Sequence, residues 1–178
     1  LRTHGLSCRK SAARHQRHSL INDIIWRALT KAKIQAIKEP SGLTRIDGKR
    51  PDGVTLIPWS RGRCLAWDVT VPDTLAASHL ERTSVTAGAA AEYAAELKTV
   101  KYSELIWHYD FVPIAVETLG SWSGDALSFI KTLGKRLTEV TGDTQETFYL
   151  LQRLSVAIQR CNAICFIGSF KMCDALHS

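Results

Sequence analysis

The sequence predicts an α/β fold, a small mixed sheet flanked by helices, with a helical extension at the C-terminus. Three observations predict it. An N-terminal segment has helical periodicity; two β-branched runs then flank a Gly-containing turn; and long stretches of good helix formers enclose one more strand-like run. With 178 residues, 45% of them apolar and 22% charged, the chain suits one ordinary domain with its own core.

Leu20, Ile21, Ile24, Ile25, Ala28 and Leu29 recur with the period of an amphipathic helix. That helix is expected from about residue 19 into the stretch 31–38, where Pro40 stops it. Residues 41–53, rich in Gly, Asp and Pro, read as loop. Val54-Thr-Leu-Ile-Pro-Trp59 and Cys64-Leu-Ala-Trp-Asp-Val-Thr-Val71 read as a hairpin around Ser60-Arg-Gly-Arg63, and Pro72 ends the second strand. Ala-rich residues 84–108 predict one long helix despite Gly88. Residues 111–116 form a third strand, in which Pro113 points to an edge position or a strand start. Helices are expected over 126–140 and 144–167, broken at Gly142. The most apolar stretch, residues 157–170, is short and interrupted by Arg160, Asn162 and Gly168, so it reads as a core helix rather than a membrane span.

No internal repeat or low-complexity linker divides the chain, which predicts a basic extension over residues 1–18 and a single domain over 19–178. The chain opens on Leu1 with nothing resembling a signal peptide, so a piece of a longer polypeptide is expected. The five cysteines, an odd and scattered set, predict free thiols in a reducing compartment. Charge is lopsided. Residues 1–50 hold twelve Lys and Arg against Asp23, Glu39 and Asp47, a net +9, so the remainder carries −3 of the total +6. A basic arm of this kind is the footprint of phosphate-backbone binding, with a solvated basic surface as the plain alternative. Arg9, Lys10, Arg14, Arg17, Lys49 and Arg50 are the expected nucleic-acid contacts.

The chemistry concentrates in Lys49-Arg50-Pro51-Asp52, followed sixteen residues after Asp52 by Asp68. Phosphodiester hydrolysis needs a divalent cation to activate water and to neutralise charge developing on phosphorus. Mg²⁺ prefers hard oxygens and takes one or two carboxylates plus water and phosphate. Asp52 and Asp68 at neighbouring strands supply them. If Ser60, Arg61 and Gly62 form a three-residue loop, Val54 lies opposite Asp68 and Asp52 projects from the same face; a four-residue loop separates the two faces. Thr70 stands where the simplest Asp-x-Lys pattern wants a lysine. Lys98, Lys101 and Tyr102 instead share one face of the following helix, and either ammonium is a candidate for the acid pair.

These residues resemble the restriction-like endonuclease domain, of PD-(D/E)-x-K type, found in site-specific non-long-terminal-repeat retrotransposons. In that family an Arg/Lys-Pro-Asp precedes a second acid, and the lysine is displaced to a helix with a tyrosine close behind. Arg50-Pro51-Asp52, Asp68 and Lys98-Thr-Val-Lys101-Tyr102 follow that order. His4-Gly-Leu-Ser-Cys8 is similar to the second half of a zinc knuckle, with one residue fewer between His and Cys. The resemblance implies a restriction-endonuclease-like fold and Mg²⁺ or Mn²⁺ at Asp52 and Asp68. It also implies Zn²⁺ at His4 and Cys8 in a longer parent protein. The implied partners are double-stranded DNA and, through the parent's reverse transcriptase, an RNA template. The implied setting is the nucleus, where one DNA strand is nicked to prime reverse transcription. Glu39 is a further candidate metal-proximal acid, and Glu117 a weaker one.

Plainer readings stand beside these. Pro51-Asp52-Gly53 is a common turn sequence, whereas Asp68 within an apolar run is costly unless paired or bound to a cation. Lys98 and Lys101 equally read as solvated helix charges. His15 and His18 read as exposed or DNA-facing rather than as metal ligands, Trp59 and Trp67 as core, and Cys161 and Cys165 as buried small apolar residues. Two other functions fit the sequence: a DNA-binding module on the same fold without cleavage, and a partner-docking domain that uses the C-terminal helices.

Overall fold

A computed structural model describes residues 12–43 and 50–174, with side chains over 15–43 and 50–167. Helix α1 (Ala12–Lys31) runs across the expected boundary at residue 18 and buries Ile21, Ile25, Ala28 and Leu29. It stops earlier than expected. Lys33 adopts a left-handed φ of 60°, Ile34 turns into the core, and Ala36–Lys38 form strand β1 rather than continuing the helix. The helix formers of this stretch are overruled because β2 offers residues 36–38 a ladder, and propensity is the weaker term.

Strands β2 (Gly53–Ser60) and β3 (Arg63–Thr70) form an antiparallel hairpin. Its loop is shorter than expected. Arg61 and Gly62, with φ of 49° and 76°, make a two-residue turn whose backbone twist suits a hairpin. Ser60 pairs with Arg63 and Pro58 with Cys64, but Val54 pairs with Ala66 and Gly53 with Trp67 after two irregularities. Val54 therefore does not face Asp68. Pro58 has no N–H to give the ladder, and the Thr55 hydroxyl accepts the Leu65 N–H at 3.0 Å in place of a backbone carbonyl. At Gly53 an added Cβ would lie 2.0 Å from the Trp67 ring, so the glycine after Asp52 answers to packing as much as to turning.

The helix expected over 84–108 is shorter, α3 (Ala89–Lys101), and a separate helix that was not expected, α2 (Ala77–Thr83), precedes it. Gly88 breaks them apart with a φ of 87°, and the buried Glu117 carboxylate accepts the Ala90 N–H at the start of α3. Strand β4 (Asp110–Ala115) pairs parallel with β3 and lies at the sheet edge, as Pro113 suggested. Helix α4 (Gly124–Thr141) is capped by Ser123 and ended by left-handed Gly142; α5 (Glu146–Asp174) outruns its expected end.

The result is a mixed α/β domain with a four-stranded sheet ordered β1-β2-β3-β4. Leu65, Trp67 and Val69 of β3 face the main core formed with α1, α4 and α5. Strand alternation turns Ala66 and Asp68 to the other side, where Ala91 and Ala95 of α3 pack on Ala115. Among the described residues, no helix is long and apolar enough to cross a membrane.

Candidate active site

Asp68 points from the middle of the sheet towards α3 and is 3% exposed. A carboxylate in that position is stable only with compensation, and α3 supplies it. The Lys98 ammonium forms an ion pair with Asp68 Oδ2, and the Tyr102 hydroxyl lies 2.8 Å from Oδ1. The two residues stand four apart, one helical turn, which is why both reach one carboxylate. Tyr102 is itself buried, its ring 5.0 Å from that of Phe111 and tilted against it, and its single proton is shared between Asp68 and the Arg50 carbonyl, also at 2.8 Å. Lys101 joins the cluster through Tyr102, donating to its hydroxyl at 2.7 Å and lying over its ring. Of the two candidate lysines, Lys98 is thus the one paired with Asp68, while Lys101 supports the tyrosine.

Asp52 sits just before β2, where the ladder with β3 runs out. Its Oδ2 accepts the Val69 N–H at 2.6 Å, replacing the carbonyl that an additional β2 residue would provide. The same oxygen accepts from His18 Nε2 at 2.9 Å. Carried on by one residue, the pairs Val54–Ala66 and Gly53–Trp67 set Asp52 opposite Asp68. Asp68 faces α3, while the Asp52 carboxylate lies beside the β3 backbone and meets α1. Both acids act on one group: the hydrogen bond that His18 donates to Asp52 holds the imidazole above its ordinary range against burial, and the Asp68 charge adds to the rise while Lys98 opposes it.

Other sequence candidates fall elsewhere. Glu39 follows β1 rather than a helix, is 64% exposed at its side chain, and pairs with Arg50. Among the described residues, no three His, Cys, Asp or Glu side chains gather into a group suited to a metal ion, so Glu39 does not complete a triad with the two aspartates. Arg50 keeps an exposed side chain beside the site. Arg17 corrects the expected DNA-contacting set: it is 1% exposed and donates to Asn162 of α5 at 2.7 Å, so it ties two helices together. Lys49, Arg9, Lys10, His4 and Cys8, and the side chain of Arg14, lie outside the described residues. Glu117 is committed to α3, and Cys161 and Cys165 are buried cysteines outside any disulfide among the described residues.

Two residues of the site escaped the sequence. His18 and Asn22 stand one turn apart on α1; Asn22 accepts from Trp67 Nε1 at 2.8 Å and reaches the Asp52 carbonyl at 3.4 Å. Their helical spacing was legible, but their shared partner Asp52 lies 34 and 30 residues away and nothing local marks it.

The two carboxylates offer a hard divalent cation the oxygen ligands it takes. Asp68 Oδ2 is buried without an aligned hydrogen bond and faces only the Lys98 ammonium, and Asp52 Oδ1 accepts no bond among the described residues. No protein-family model matches the chain, and no curated protein matches it.

Proposed function

We propose that this chain is a metal-dependent DNA endonuclease domain of restriction-endonuclease-like fold. It would nick target DNA within a retrotransposon-derived protein, acting on double-stranded DNA in the nucleus beside an RNA template carried by the parent. The observation that carries the reading is the buried Asp68, faced by the Lys98 ammonium and the Tyr102 hydroxyl, with a second acid, Asp52, pinned to the adjoining backbone. A buried acid held by an ammonium is the kind of costly arrangement that functional sites retain.

Asp52 and Asp68 would hold Mg²⁺ or Mn²⁺, which when bound acidifies water and neutralises charge on phosphorus. The chain's own groups do the rest. Lys98 brings positive charge to Asp68, where it can orient water or stabilise the oxygens of a pentavalent phosphorus. Tyr102 fixes the Asp68 carboxylate and takes its own orientation from Lys101 and the Arg50 carbonyl. Arg50, exposed beside the acids, would grip backbone phosphate once released from Glu39. Any zinc at His4 and Cys8 belongs to the parent protein in this reading.

One observation favours a second reading. Lys98 already balances the charge of Asp68, and Tyr102 hydrogen-bonds it, as they would in a DNA-binding module that has lost cleavage. Incubation with supercoiled plasmid separates the two. Conversion to nicked circle that requires Mg²⁺ or Mn²⁺ and stops with chelator supports the nuclease; salt-sensitive binding with no conversion supports the inactive module.

A further inference from the structure

Asp52 is held from every side. Its N–H bonds to the Trp67 carbonyl at 2.9 Å, and its own carbonyl accepts from Glu39 N–H at 2.9 Å and from Asn22 at 3.4 Å. Its side chain is restrained differently: one oxygen, Oδ2, takes both the Val69 N–H and the His18 Nε2, at 2.6 and 2.9 Å. The other oxygen takes nothing among the described residues. A carboxylate has a broad terminal torsion and would otherwise present either oxygen. Two donors from two different elements, one in the sheet and one on α1, remove that freedom.

His18 is the donor that can be changed without altering the backbone. Its side chain is 39% exposed and that of Asp52 15% exposed, so both border solvent. Asn22, one turn further along α1, is anchored to Trp67 and so fixes the azimuth from which His18 approaches.

We infer that His18 is a positioning residue: by occupying Asp52 Oδ2 together with the Val69 N–H, it presents Oδ1 alone as a one-oxygen ligand for a divalent cation. The inference rests on the nuclease reading in taking Asp52 as a cation ligand. Groups that orient a ligand in this way typically alter metal affinity by about 10–100-fold when removed.

The test is a Mn²⁺ titration of the purified chain without DNA, with free Mn²⁺ read by electron paramagnetic resonance. Wild type, Asp52→Ala, His18→Ala and His18→Gln are compared, with thermal unfolding in the absence of metal measured in parallel. Asp52→Ala should lose the site. His18→Ala should weaken Mn²⁺ by about 10–100-fold, and His18→Gln, which keeps an N–H donor, should recover most of that loss. A merely structural histidine would lower the unfolding temperature and leave the Mn²⁺ affinity of the folded protein unchanged. If His18→Ala does not fold, His18→Leu fills the space without a donor and takes its place. Wild-type Mn²⁺ affinity in the His18 variants, with the site lost in Asp52→Ala, overturns the inference and leaves the nuclease reading standing. Unchanged affinity in Asp52→Ala overturns the inference and moves the cation to Asp68 alone. No Mn²⁺ binding by wild type overturns both.

Discussion

Lys98 and Asp68 form an ion pair between the middle of the sheet and the last turns of α3, with the aspartate side chain 4% exposed and the lysine side chain 24% exposed. Removing only the cation would leave a buried carboxylate with Tyr102 as its remaining partner. Lys98→Met, which keeps length and loses charge, should therefore destabilise the fold by about 3 kcal/mol. Adding Asp68→Asn should restore a good part of that, because a neutral amide costs less to bury. Urea unfolding of the two single variants and the double variant measures the coupling. Strict additivity would show that the pair contributes nothing as a pair.

Arg17 and the basic arm should separate cleanly. Arg17 is buried against Asn162, so Arg17→Ala should cost about 2 kcal/mol or more of stability and leave the salt dependence of DNA binding unchanged. Deleting residues 1–11 removes Arg2, Arg9 and Lys10 and should make the slope of log affinity against log salt shallower by about 2 to 3. Gel-shift titrations across a salt series check both. A shallower slope in Arg17→Ala would return that residue to the DNA surface.

Glu146 opens α5 and pairs with Lys31 at the end of α1, which, with a smaller contribution from Thr141, holds its carboxyl below the usual 4.5. A lowered folded-state value means the charged form is favoured by folding. Its contribution is present above about pH 4.5 and lost as pH falls through the lower folded value. Glu146→Gln should thus be less stable than wild type at neutral pH, with the gap narrowing as the solution is acidified below pH 4.5. Thermal unfolding from pH 7 to pH 3 gives the comparison, and a gap that widens on acidification would contradict the assignment.

How much of this was legible depended on whether a residue's partner was local. The hairpin was legible because Val, Ile, Thr and Trp cluster on both sides of Arg61-Gly62, and both turn residues take the positive φ such a loop needs. Asp68 was legible as an anomaly in an apolar run, and helical spacing put Lys98, Lys101 and Tyr102 on one face without choosing between the lysines. Strand β1 was not, because Ala36-Ile-Lys38 is three residues long and becomes a strand only through β2. The register was not, because it depends on the Thr55 hydroxyl replacing a carbonyl beside Pro58. Gly88 was read as a tolerated helix interior, whereas the Glu117 carboxylate waits at the start of a new helix. His18 and Arg17 sit side by side in a basic stretch, and only tertiary packing sends one to Asp52 and the other to Asn162.

The most direct measurement is nicking of supercoiled plasmid by Asp68→Asn, with Mg²⁺ or Mn²⁺, beside a gel-shift titration of the same protein. The amide keeps the size of the side chain and can still accept from Tyr102, so the fold and the basic surface should persist. It lacks the negative charge that would hold the cation. The account predicts DNA affinity near that of wild type and nicking reduced by at least about a hundredfold, as expected when a charge-stabilising group is lost from the transition state. Wild-type nicking by Asp68→Asn would contradict it.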